Sequence, residues 1–159
     1  MASTVVTDDR GLRMLRQSAG AAAEYATVVS RWSVGMHVHH CALAMIGMCN
    51  SVLESSPPPP PAGFSSARAF VFITGRIPRG RAKAPEAAIP RPDVEPADLR
   101  ALLARSEELI GQVDKADSKQ WWRHFALGVM DRDQTLRFVG IHNRHHLRII
   151  ADIRAASGG

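Results

Sequence analysis

The chain has 159 residues, of which 45% are hydrophobic and 22% charged, and a net charge of +5. That length supports a hydrophobic core without staples and suggests one domain over residues 1–159. No apolar run approaches 18 residues, which excludes a membrane span of the usual helical kind, and abundant alanine with few β-branched runs leans the composition towards helix.

In chain order, "MASTVVTDDRGLRMLR" shows no basic segment followed by an apolar core, so no secretory signal is expected and a cytoplasmic location is. The first helix is predicted from about Asp9 to Ser30. Leu12, Leu15, Ala19, Ala22, Ala26 and Val29 recur at spacings of three and four, one buried stripe. Thr7, Asp8 and Asp9 are candidate caps, and the alanines of the stripe let a neighbour approach closely.

The second helix, from about Ser33 to Leu53, is apolar on most sides except for its histidines, as suits the middle of a bundle. It carries both cysteines, Cys41 and Cys49. Eight residues apart on a helix they stand about 12 Å apart along the axis, too far for a disulfide.

A long irregular insert, about residues 55–95, follows. It opens with five consecutive prolines, 57–61, a short polyproline strut. "ARAFVFITGR" is either a short helix or an extended piece; its apolar run is too short to decide. The third helix starts near Pro96, with Leu99, Leu102, Ser106, Leu109 and Val113 as its stripe. "DKADSKQ" ends it, and Trp121 and Trp122 follow at a joint between helices. The fourth helix runs from about Asp131 to Ala155, with "DRDQ" as a capping box. The expected fold is all-α: a four-helix bundle with a long irregular insert between helices 2 and 3.

The fourth helix spends part of its apolar stripe on imidazoles. Val139, His142, His146, Ile149 and Ile153 fall at spacings of 3, 4, 3 and 4, while Arg137, Arg144 and Arg148 occupy the opposite face. His142 and His146, at i and i+4, sit one above the other, the geometry by which two helical histidines share a metal ion. On the second helix His40 shares a face with Met36, Leu43 and Gly47. If that face looks at the fourth helix, His40 completes a three-histidine site with open coordination positions, as in catalytic zinc sites. Spacing alone leaves His145 open as a replacement for His146. His37, His39 and His145 are otherwise read as supporting or surface residues, with Glu24 and Asp133 as candidate carboxylate supports.

"RWSVGMHVHHCALAM" (31–45) and "HFALGVMDRDQTLRFVGIHNRHHLRII" (124–150) resemble the DinB-like superfamily of metal-binding four-helix bundles, in particular a bacterial branch of it. The basic stretch "GRIPRGRAKAPE" is similar to that branch's insert. The resemblance places the ligands at His40, His142 and His146. The departures are the five-proline run and Cys41, where leucine is usual. The resemblance implies a divalent metal, zinc or nickel first and iron or manganese after them. It also implies homodimers and, in some members, thiol-dependent transferase or isomerase activity on a small molecule.

Two readings follow: an enzyme whose metal activates water or a low-molecular-weight thiol, including a hydrolase, or a non-catalytic metal- or ligand-binding bundle. A nucleic-acid partner is disfavoured, because the basic loop 75–83, with Arg76, Arg79, Arg81 and Lys83, lacks interleaved aromatics. One of those arginines is instead a candidate for an anionic substrate. Cys41 points about 100° away from His40 on the helix and is read as core.

Overall fold

In the computed structural model, which describes residues 9–80 and 83–158, the chain is mostly helical with one small two-stranded sheet. Thr7, Asp8 and Arg81 lie outside the described residues. Five helices are present among those described: α1 (Asp9–Ser18), α2 (Val34–Glu54), α3 (Ser66–Thr74), α4 (Pro96–Lys115) and α5 (Arg132–Ser157). The strands β1 (Trp121–His124) and β2 (Gly128–Asp131) form an antiparallel hairpin before α5.

The long helices start where their caps say. Ser33 accepts the backbone N–H of Met36 ahead of α2, Pro96 occupies the first turn of α4, and Asp131 and Gln134 close a reciprocal capping box on α5. These three helices face one another, and α1 packs across α4 and α5. Their buried faces meet in a core that includes Leu15, Val38, Met45, Leu99, Leu103, Ile141 and Ile153. Arg132 reaches back to the carbonyls of Asp114 and Ala116, so the start of α5 satisfies the end of α4. No helix among the described residues is long and apolar enough to cross a membrane.

The first helix is shorter than predicted. α1 stops at Ser18, passes into a 3-10 turn over Ala19–Ala21, and continues as turns up to α2. Alanine spacing misleads here, because Ala22, Ala26 and Val29 still pack against the core without being helical. The turns bring Ala22 onto the start of α2, where the Gly35 N–H bonds the Ala22 carbonyl at 3.0 Å. A Cβ on residue 35 would stand 2.9 Å from the Ala22 Cβ and 3.0 Å from its carbonyl oxygen. Only glycine permits that approach, and it sets Ser30 and Trp32 beside the first turn of α2.

Two further differences follow from segments too short to show a period. "SARAFVFIT" is a helix, capped by Ser65 and closed by Gly75 in the left-handed conformation, so the insert is not irregular throughout. Trp121 and Trp122 belong to a strand rather than a helical joint. The hairpin turn is held by the His124 Nδ1, which accepts the N–H groups of Ala126 and Leu127, and by Gly128 at φ +77°. Trp121 ties the hairpin to the end of α2 through Ser55 and Ser56.

Candidate metal centre

α2 and α5 run past each other in opposite senses, so their histidines meet in reversed order. His37 faces His146, with Nδ1 to Nδ1 at 2.9 Å, and His40 faces His142, with Nε2 to Nε2 at 3.2 Å. His40, His142 and His146 each offer one ring nitrogen within 4.8 Å of the others. These are the three residues that the stripe spacings and the resemblance singled out. His37, one turn before His40, joins them as a direct partner of His146.

Each ring is held from behind. His40 Nδ1 lies 2.7 Å from the Ala88 carbonyl. A carbonyl only accepts, so Nδ1 carries the proton and Nε2 presents its lone pair towards His142. Ala88 ends a 3-10 turn of the insert, Glu86–Ala88, and the next contact of the same segment is the Arg91 N–H donating to His39 Nδ1 at 3.0 Å. Adjacent histidines on α2 thus clamp the insert over the site, which is the role of His39. Trp32 forms a wall, its ring centroid 5.3 Å from that of His37 and 5.1 Å from that of His40. His145 hydrogen-bonds the Ile77 backbone and stands outside the cluster.

The residues fit a metal ion. In a tetrahedral site with bonds of about 2.0–2.1 Å, neighbouring ligand atoms stand about 3.3 Å apart, close to the 3.2 Å between His40 and His142. The His142 Nδ1 and the Asn143 Oδ1 are both buried without a partner at hydrogen-bond geometry among the described residues. Asn143 nonetheless acts on His142 in the sense that favours its protonated form. A proton on Nδ1 suits that neighbour and frees Nε2 for an ion.

All seven histidines are held below the ordinary 6.5, and burial is the largest cause for each. His37 and His124 fall to about 4, and His142 and His146 lie well below the usual value. The charges that add to burial are other histidines together with Arg79, Arg91 and Arg148. Buried imidazoles in a positive field stay neutral at neutral pH, the form that ligates a metal.

Other candidates fall away from the site. Glu24 pairs with Arg154 at 3.2 Å and Asp133 with Arg132 at 2.8 Å, so neither serves the histidines. Arg79 is bound to Asp152 at 2.7 Å on the exposed rim. Cys41 is fully buried and Cys49 has its thiol pushed up to about 12 by burial, which makes both unreactive core thiols. A groove lined by Phe64, Arg68, Phe72, Asp133 and Arg137 lies between α3 and the start of α5 and contains none of the histidines.

Among protein families, the model described as the DinB superfamily matches residues 12–150. No curated protein and no solved structure matches the chain.

Proposed function

The chain belongs to the DinB superfamily, and from that premise we propose that it is a metal-binding four-helix bundle in which His40, His142 and His146 hold one divalent ion. The four helices of this reading are α1, α2, α4 and α5, in one domain whose insert of about residues 55–95 separates the second from the third. One observation carries the proposal: three buried or half-buried imidazoles from two helices bring their nitrogens within 4.8 Å of one another. Neutral imidazole donors suit zinc and nickel best, then iron, with manganese the poorest match.

An ion held there would act as a Lewis acid and lower the pKa of a coordinated water or thiol. The chain's own residues exclude water from one side through Trp32 and hold the ligand rings through Ala88 and His37. Three neutral ligands leave the ion's two positive charges uncompensated, and the charged neighbours acting on the three ligand rings are other histidines, none of them acidic. Such a site favours an anionic co-ligand, and a low-molecular-weight thiolate satisfies the requirement. The reaction class we propose is therefore thiol-dependent transfer or isomerisation on a small electrophile, with hydrolysis by the same centre as the variant that uses water. The expected setting is a reducing cytoplasm, where Cys41 and Cys49 stay thiols, and the expected assembly is a homodimer.

The second reading, a non-catalytic metal-binding bundle, is favoured by the clamped insert, which closes over His39 and His40. Cobalt substitution separates the two. Titrating cobalt-loaded protein with a small thiol is expected to produce a thiolate-to-cobalt charge-transfer band. Cobalt d–d bands that persist unchanged at saturating thiol would mean a closed site and support the binding protein instead.

A further inference from the structure

We propose that His37, backed by Ser30, is a positioning residue that selects the Nε2 lone pair of His146 for the metal. The inference rests on the metal-site reading above and adds to it a residue that contacts no ion.

The assignment comes from counting protons along a buried chain. His146 Nδ1 and His37 Nδ1 are 2.9 Å apart, and two nitrogens at that distance share one proton. His37 Nε2 lies 3.0 Å from the Ser30 Oγ, which also accepts the Trp32 N–H at 3.0 Å. His37 is 3% and His146 7% exposed, so water is a poor substitute partner for either ring.

Two directions satisfy this chain. In one, Ser30 donates to His37 Nε2, His37 Nδ1–H donates to His146, and the remaining His146 proton sits on Nε2, where it blocks a metal. In the other, His146 Nδ1–H donates to His37 Nδ1, and His37 Nε2–H donates to Ser30, whose oxygen has lone pairs for both His37 and the Trp32 N–H. Only the second direction leaves the His146 Nε2 free, so a bound ion and the second tautomer of His37 require each other.

The chemistry differs from the common arrangement in which a carboxylate stands behind a metal-bound histidine. A neutral imidazole accepts the hydrogen bond without adding negative charge. The ion's charge is then left for the exchangeable ligand, which deepens the case for an anionic one. The reversed order of histidines explains why position 37 has this role: antiparallel helices that pair residue 40 with 142 bring residue 37 opposite 146.

The test compares zinc affinity, by chelator competition, and the cobalt d–d spectrum across three variants of the full chain. His37→Leu fills similar space but accepts no hydrogen bond; a loss of about 10–100-fold in zinc affinity and a shifted cobalt spectrum are expected. His37→Asn keeps an acceptor at the Nδ1 position and is expected to recover most of both. Ser30→Ala removes only the far end and should cost less than His37→Leu. In the loaded wild-type protein, nitrogen-15 shifts should report His37 protonated on Nε2. Wild-type affinity in His37→Leu, equal losses in the Leu and Asn variants, or an Nδ1-protonated His37 in loaded protein would each overturn the proposal. A wild-type protein that takes up no metal would instead remove the site reading beneath it.

Discussion

Replacing His146 by alanine is expected to lower zinc or nickel affinity by about 100- to 1,000-fold. Structural zinc sites are worth about 10–16 kcal/mol over three or four ligands, so one ligand contributes about 3–4 kcal/mol, and each 1.4 kcal/mol is a factor of ten. The substitution also leaves the buried His37 Nδ1 without its partner, which costs the folded protein about 1–3 kcal/mol. His145→Ala is the matched control. It removes an imidazole one residue away that bonds the insert backbone at Ile77 and lies outside the cluster, so its affinity should stay within a few-fold of wild type. Spacing on α5 alone allowed either residue, and competition titration of the two variants decides between them. Equal losses in both would show that the cluster is not the ligand set.

The second large effect is loss of stability in acid. His37 and His124 have folded values near 4 against an unfolded value near 6.5, and burial is the main cause of both. A histidine whose folded pKa is depressed binds fewer protons folded than unfolded, so stability rises with pH between the two values. The contribution is complete above about pH 6.5 and is lost as pH falls towards 4. Each such group contributes up to about 1.4 kcal/mol per pH unit. Discounted for partial exposure, the two together should take about 2 kcal/mol from the metal-free protein between pH 6.5 and 5. The other five histidines are shifted in the same direction and add to the loss. Urea unfolding at a series of pH values measures it. Metal-loaded protein should hold its stability to lower pH than metal-free protein, because the ion competes with protons for the same nitrogens. A metal-free unfolding free energy that is flat from pH 7 to 5 would contradict the buried, neutral state of these rings.

Much of this arrangement is legible in the sequence. α2, α4 and α5 carry long periodic stripes and end-specific caps at Ser33, Pro96 and Asp131, and the structure starts each helix there. His40, His142 and His146 stand out because polar residues on an otherwise buried stripe need a reason to be there. The first helix ends before its spacing does, because alanine at positions 22 and 26 continues the helical period whether or not the backbone does. The hairpin escaped because four-residue strands are too short to show alternation; "FALG" after His124 was its one usable signal.

His37 was harder to place for a different reason. Its spacing to His40 puts both on one face of α2, yet its partner on α5 depends on helix direction, which periodicity does not encode. Ser30 lies in the turns before α2, where the alanine spacing predicts helix. The clamp of the insert onto His39 and His40 comes from Ala88 and Arg91, residues without any motif of their own.

The central claim, that imidazoles from α2 and α5 share one ion, is tested most directly by anomalous diffraction from crystals of tag-free protein grown with zinc. One anomalous peak is expected per chain, about 2.0–2.1 Å from a ring nitrogen of each of His40, His142 and His146. A fully occupied peak elsewhere on the chain, or none between these rings at saturating zinc, would contradict it.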